Sequence, residues 1–212
     1  MKRILCFGDS NTWGYNPIKQ SRYPSGIRWT TLLHQYGLNK KTQVIEEGLC
    51  GRTTVFNEEN RITRAGSAVL PVLLESHAPL DLVVIMLGTN DCKKCFQTNQ
   101  DTISQGIEVL LKQIRDFSNT VKILLVSPIT LGDDVYLHDL DFDQHSIRLS
   151  YQLKKAYQNI AYKWDIDFLA ASDFANAGDD DYEHLNEQGH RLLGKALAHK
   201  IQSVLEDNKD VR

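Results

Sequence analysis

The stretch RILCFGDSNTWG (Arg3–Gly14) begins with a short apolar run and then changes to small and polar residues. The run is too short for a buried helix and is typical of a strand that is covered on both faces of a sheet. The residue types at positions 8–11 are those that form turns. The stretch therefore predicts a buried strand that ends at a polar loop, and it leaves open whether Ser10 is a turn residue or a nucleophile.

Similar short apolar runs recur along the chain, namely TQVIEEG (42–48), LDLVVIML (80–87), VKILLV (121–126) and DIDFLAA (165–171). Segments with helical character lie between or after these runs, at 28–37, 67–77, 103–114, 149–164 and 187–207. Strands that alternate with helices predict a parallel sheet with helices on both faces. We expect one α/β domain that spans residues 1–212.

Composition excludes several classes of partner. A formal net charge of -3 leaves no basic excess to neutralise phosphates, so we expect no nucleic-acid partner. No apolar run reaches the roughly 18 to 20 residues of a membrane span, and the first residues do not resemble a secretion signal. The 4 cysteines fit a reducing compartment better than a disulfide framework. These features together predict a cytoplasmic protein that has no membrane partner.

Polar residues follow each of the first three predicted strands, at 8–11, 48–53 and 88–91. Ligands of parallel sheets bind outside the carboxyl ends of the strands. Turn residues at one or two of these ends would need no functional explanation, but their presence at all three favours a site.

A serine nucleophile needs a base and a group that orients the base. Among the 7 histidines, His184 is the best placed, because Asp181 precedes it by three residues and the two side chains can meet. The alternative is that this pair only caps the following helix. The backbone N–H groups of Ser10 and Gly51 and the side-chain amide of Asn90 could stabilise an oxyanion.

Four blocks, FGDSNTWG, EEGLCGRTT, IMLGTND and DYEHLNEQGH, resemble in order those of the SGNH (GDSL-type) hydrolases. The first three resemble most closely the bacterial arylesterase and acyltransferase branch. The resemblance implies a three-layer flavodoxin-like fold with a five-stranded parallel sheet in the order 2-1-3-4-5 and helices on both faces. It also implies a small-molecule ester substrate and a homo-oligomer. The implied site is a triad of Ser10, Asp181 and His184, with an oxyanion hole formed by Ser10, Gly51 and Asn90.

The chain departs from the family pattern in two places. Tyr182 and Glu183 separate Asp181 from His184 where relatives usually have glycine and an apolar residue, and we expect Glu183 to raise the imidazole pKa or to repel anionic substrates. Asn11 occupies a position that is often leucine. We expect substrate contacts from Asn11, Thr89 and Tyr15.

The sequence therefore predicts a serine esterase that cleaves short-chain carboxylic esters through an acyl-enzyme on Ser10, with acyl transfer to alcohols as a further outcome. We expect it to need no cofactor and no metal. The alternatives are a carbohydrate O-acetyl esterase, a thioesterase or lysophospholipase of the same fold, and a non-catalytic flavodoxin-like binding module. A nucleotide-binding domain is disfavoured because no Gly-x-Gly-x-x-Gly run follows the first strand.

Two further segments carry recognisable patterns. Cys92 and Cys95 have redox spacing, but they follow the third block directly and we expect them to be an ordinary exposed helix start. Residues 127–146 predict a long irregular lid or interaction loop, in which Tyr136 and Phe142 would line a substrate channel or a subunit contact. The aspartates at 139, 141 and 143 lack the glycine and glutamate of a calcium loop, so we expect them to be solvated.

Overall fold

The computed structural model describes residues 1–58 and 61–206. Its seven strands are β1 (Arg3–Gly8), β2 (Tyr15–Asn16), β3 (Ser21–Arg22), β4 (Gln43–Gly48), β5 (Leu82–Met86), β6 (Lys122–Ser127) and β7 (Asp167–Ala170). Five of them form a parallel sheet in the order β4-β1-β5-β6-β7. This arrangement confirms the expected order 2-1-3-4-5. The labels differ because β2 and β3 form a separate antiparallel hairpin between the first two sheet strands.

The helices are α1 (Ser10–Trp13), α2 (Trp29–Leu32), α3 (Gly66–Ser76), α4 (Gln100–Phe117), α5 (Val135–His138), α6 (Gln144–Trp164) and α7 (Glu187–Glu206). Short 3-10 turns cover Asn90–Cys92, Lys94–Phe96 and Ala171–Asp173. The helix predicted over 28–37 is shorter than expected, because the chain turns after Leu32 and reaches Gly37 at a φ of 111°. Position 207, the predicted end of the last helix, lies outside the described residues. None of the described helices is both long and apolar enough to cross a membrane.

Alternate residues of β1 point into two separate cores. Leu5 and Phe7 pack in the larger core, which contains the apolar faces of α3, α4 and α6. Ile4 and Cys6 pack in the smaller core, which includes Trp29 and the buried face of α7. Both faces of the sheet are therefore covered, as the short apolar runs predict.

The segment at 127–146 is largely irregular, as predicted, but part of it is packed into the domain. It contains α5, and its apolar side chains Leu131, Val135 and Phe142 are all buried in the larger core. Phe142 is only 2% exposed, so it cannot line a substrate channel or a subunit contact. Tyr136 is partly buried and packs against the same core. Because burial of these side chains is favourable, the segment is held against the domain.

Candidate active site

The carboxyl ends of three neighbouring strands lie side by side. Gly8 is in register with Gly48 on β4 and with Met86 on β5. A Cβ atom at Gly8 would lie 2.8 Å from the carbonyl oxygen of Met86 and still closer to Thr12. Glycine is therefore needed for α1 to pack closely over the end of the sheet. The loops that carry the polar blocks converge at this edge, as expected for a parallel sheet.

Ser10, His184 and Asp181 form a continuous hydrogen-bonded chain. The Oγ atom of Ser10 lies 2.8 Å from Nε2 of His184, and Nδ1 of the same ring lies 2.6 Å from Oδ2 of Asp181. The other carboxylate oxygen of Asp181 accepts the backbone N–H groups of Glu183 and His184. These bonds fix the turn, so the two residues between Asp181 and His184 do not prevent the pair from meeting.

The charged groups around His184 shift the pKa values of His184 and Asp181. Burial opposes protonation of His184, but the nearby charge of Glu183 and the hydrogen bond and charge of Asp181 outweigh it, so the pKa of His184 is raised. Burial also opposes ionisation of Asp181, and its bonds to His184 outweigh that cost and lower its pKa. The arrangement keeps Asp181 ionised and stabilises an imidazolium at His184.

Ser10, Gly51 and Asn90 all line the same cleft. Gly51 has a φ of 79°, and a Cβ there would lie 2.6 Å from Nη1 of Arg61. The Cβ side of Gly51 is thus occupied by Arg61 and does not face substrate. Asn90 donates from Nδ2 to the carbonyl oxygen of Arg52 at 3.1 Å, which fixes its amide. In the portion of the chain that the structure describes, the backbone N–H groups of Ser10 and Gly51 have no protein acceptor.

The side chains of Asn11 and Thr89, which we expected to contact substrate, do not line the cleft. Asn11 is 3% exposed, and its side chain bonds to the backbone on both sides of His184, from Nδ2 to the carbonyl oxygen of Glu183 and from the N–H of Leu185 to Oδ1. Thr89 is buried beside Asp9 and does not line the cleft. Both side chains point away from the cleft. Asn11 bonds to the backbone around His184, and Thr89 lies against Asp9. Tyr15 does line the cleft, and its ring centroid lies 4.7 Å from that of His184.

Buried charges hold the second and third loops beneath the cleft. Arg52 donates from Nη1 to the carbonyl oxygens of Gly8 and Glu47, and its guanidinium lies over the ring of Phe7. The carboxylate of Asp91 accepts the backbone N–H of Thr54, which joins the third loop to the second. Arg52 therefore anchors its loop.

The cleft has a volume of about 500 Å³, and charged side chains that the sequence did not point to form much of its wall. These residues are Arg61, Lys93, Asp139 and Asp180. Lys93 is 5% exposed and bonds to Glu58 at 2.8 Å and to Asp141 at 2.9 Å. The aspartates at 139–143 are thus only partly solvated, since Asp141 pairs with Lys93 and the side chain of Asp143 caps α6. A polar wall suits a polar substrate better than a long acyl chain.

Free cysteines and a group of clustered acidic residues bear on redox and metal chemistry at the site. All 4 cysteines are free, and burial raises the pKa values of Cys92 and Cys95, which disfavours reactive thiolates. Asp181, Glu183 and His184 each offer a ligand atom within 4.8 Å of the others. Asp181 and Ser10 already bond to the two ring nitrogens of His184, so a metal ion at Nε2 would have to displace Ser10.

A family profile, that of the GDSL-like lipases and acylhydrolases, matches residues 6–192 of the chain. The chain belongs to this family. It is therefore an acylhydrolase, which confirms the resemblance carried by the four blocks. No curated protein sequence matches the chain significantly.

Solved structures of esterases superpose on nearly the whole of this GDSL-type chain. The aryl esterase of M. smegmatis is 35% identical, with a TM-score of 0.89 over 96% of this chain and 100% of its own. Est24, a carbohydrate acetylesterase from Sinorhizobium meliloti, is 34% identical, with a TM-score of 0.89 over 96% of this chain and 99% of its own. A carbohydrate acetylesterase family member from Sinorhizobium meliloti is 32% identical, with a TM-score of 0.90 over 97% and 99% of the two chains.

Proposed function

We propose that the enzyme cleaves short-chain carboxylic esters through an acyl-enzyme on Ser10. The hydrogen-bonded chain from Asp181 through His184 to Ser10 at the base of the cleft is the observation that carries this proposal. Nε2 of His184 takes the proton of Ser10 as Oγ attacks the ester carbonyl carbon. The backbone N–H groups of Ser10 and Gly51 and the amide of Asn90 hold the oxygen that becomes negative.

His184 completes the first half of the reaction when it passes its proton to the leaving alcohol as the ester bond breaks. In the second half it takes a proton from water or from another alcohol that attacks the acyl carbon, and it returns that proton to Oγ of Ser10 as the bond between Oγ and the acyl group breaks. Asp181 stays ionised and orients the ring throughout. An alcohol acceptor gives acyl transfer, and water gives hydrolysis.

The polar wall of the cleft favours a polar leaving group over an aryl one. Arg61, Lys93, Asp139 and Asp180 offer several hydrogen-bonding groups to an alcohol that carries hydroxyls. Two of the similar structures are carbohydrate acetylesterases. A carbohydrate O-acetyl ester is therefore our second candidate for the substrate.

Substitution of the nucleophile tests the proposal directly. Ser10→Ala and His184→Ala should each lower the turnover of p-nitrophenyl acetate by several orders of magnitude, and the double variant should lose little more, because the residues act as a unit. Asn90→Ala should cost about a hundredfold. An organophosphonate should label the wild-type enzyme once, on Ser10.

Ser127→Ala is a matched control, because Ser127 is also a buried serine at the end of a sheet strand but does not line the cleft. It should keep near wild-type turnover. Full activity in Ser10→Ala, or no phosphonate adduct on the wild-type enzyme, would rule out Ser10 as the nucleophile.

We also propose that the enzyme is a cytoplasmic homo-oligomer. The 4 free cysteines support a reducing compartment. Leu137 and Leu140 are 67% and 76% exposed on the segment beside the cleft, and such apolar side chains suit a subunit contact. Light scattering of the purified enzyme tests the assembly, and a monomeric mass at micromolar concentration would contradict it.

A further inference from the structure

A second carboxylate, that of Glu183, lies beside the catalytic base. Its Oε1 atom is 3.7 Å from Nε2 of His184, the nitrogen that also faces Ser10. Asp181, in contrast, contacts the opposite nitrogen of the ring. Glu183 lines the cleft although its side chain is only 8% exposed. Nε2 therefore faces a nucleophile and a carboxylate at the same time.

The triad is complete without Glu183, and the protein gives its carboxylate little support. Among the residues that the structure describes, no side chain or backbone group donates a hydrogen bond to it, and its ion-pair partner is His184. Burial raises the pKa of Glu183 to about 7. A buried carboxylate without a donor is costly, so a ligand that supplies a donor would be favoured.

The mechanism determines which part of the substrate comes near Glu183. Nε2 must reach the oxygen of the leaving alcohol to protonate it, so this oxygen comes within hydrogen-bond distance of Nε2. Because Oε1 of Glu183 is close to the same nitrogen, it can reach a group on the carbon next to the ester-bearing carbon of the leaving alcohol. An aliphatic group there would only remove water from the carboxylate.

We propose that Glu183 is a specificity-determining residue that accepts a hydrogen bond from a hydroxyl vicinal to the ester oxygen, so that the enzyme prefers acyl esters of 1,2-diols and polyols. The inference rests on the esterase function proposed above. The step transfers the acyl group to Ser10 and returns the serine proton to the leaving diol.

Three acetates of similar size distinguish a specific effect of the hydroxyl donor from a general effect of substrate polarity. We would measure kcat/KM for 2-hydroxyethyl acetate, propyl acetate and 2-methoxyethyl acetate. The wild-type enzyme should prefer the hydroxyethyl ester over the propyl ester by about tenfold or more, which is the effect expected of one charge-assisted hydrogen bond. The methoxyethyl ester cannot donate and should behave like the propyl ester.

Substitutions at Glu183 should change this ratio. Glu183→Leu should reduce the preference to about one, and Glu183→Gln, which keeps the shape and a weaker acceptor, should give an intermediate value. Glu187→Gln is the matched control, because Glu187 is 53% exposed on α7 and pairs with Arg191, so the ratio should be that of the wild type.

A wild-type ratio near one would overturn the proposal, as would an equal preference for the methoxyethyl ester. Full wild-type preference in Glu183→Gln would also overturn the proposal. This variant can be measured even if Glu183→Leu fails to fold. Failure of the esterase mechanism looks different, since Ser10→Ala would then still hydrolyse all three acetates.

Discussion

The protonation of His184 depends on the charged residues that face it. Glu183 and Asp181 face it from its own loop, Asp9 from the start of α1, and the Tyr15 ring from the β2–β3 hairpin. Burial alone would lower the pKa of His184, but the three carboxylates outweigh it and raise the pKa to about 8. The structure thus bears out the expectation that Glu183 raises this pKa. Since only neutral imidazole can take the serine proton, activity should fall on the acid side of this value.

Glu183→Gln should extend activity to lower pH. The substitution removes a negative charge 3.7 Å from Nε2, so the pKa of His184 falls and the neutral base persists in more acidic solution. The acid limb of kcat/KM for p-nitrophenyl acetate should move down by about one pH unit, the size expected of a unit charge at this separation. Glu187→Gln should leave the limb in place. An unmoved limb in Glu183→Gln would show that this charge does not control the base.

At the scale of elements, one side chain joins the helix that carries Ser10 to the loop that carries His184. Asn11 follows Ser10 in α1, and its amide bonds to backbone groups on both sides of His184. The backbone carbonyl oxygen of Asn11 accepts a hydrogen bond from the indole N–H of Trp29 at 3.1 Å. The distance between Ser10 and His184 is therefore set by a bridge between two elements that are far apart in sequence.

Asn11→Ala should lower kcat by about tenfold to a hundredfold and leave KM nearly unchanged. Loss of the bridge would misalign His184, which lowers kcat. KM should change little because the side chain of Asn11 does not line the cleft. Steady-state kinetics with p-nitrophenyl acetate measure the split between the two constants.

Asn16→Ala is the matched control for this bridge. Asn16 is also buried, and its Oδ1 accepts two backbone N–H groups, those of Ile18 and Lys19 within its own hairpin. It should lower the melting temperature without a matching loss of kcat. A normal kcat in a folded Asn11→Ala variant would rule out the positioning role.

The strands and the pairing of Asp181 with His184 could be predicted from the sequence because their signals are local. A short apolar run indicates a buried strand, and Asp181 and His184 are near neighbours in a block that resembles a known family. The contacts of Asn11 could not be predicted, because they reach residues 172 to 174 positions away. Burial of Phe142 was missed for a similar reason, since polar residues surround it in the sequence and its apolar partners lie in other elements.

At the scale of the whole molecule, two buried carboxylates beneath the site oppose stability above neutral pH. Burial raises the pKa values of Asp9 and Asp91 to about 6, and the charge of Asp9 further raises the pKa of Asp91. A carboxylate whose pKa is higher in the folded state than in the unfolded state binds more protons when folded. Its contribution is therefore present in acid and is lost as the pH rises through the folded pKa.

Asp9→Asn should make the free energy of unfolding less dependent on pH. In the wild type, ionisation of Asp9 should remove about 1 kcal/mol between pH 5 and pH 8, and the neutral amide avoids that loss while it keeps an acceptor for the N–H of Asn11. Urea unfolding followed by tryptophan fluorescence measures the difference. Asp81→Asn is the control, because the bonds of Asp81 to Lys2 and Arg3 outweigh its burial and lower its pKa, so its effect should be constant over this range. Parallel curves for Asp9→Asn and the wild type would mean that Asp9 stays ionised when buried, with its charge offset by Arg52 and His184.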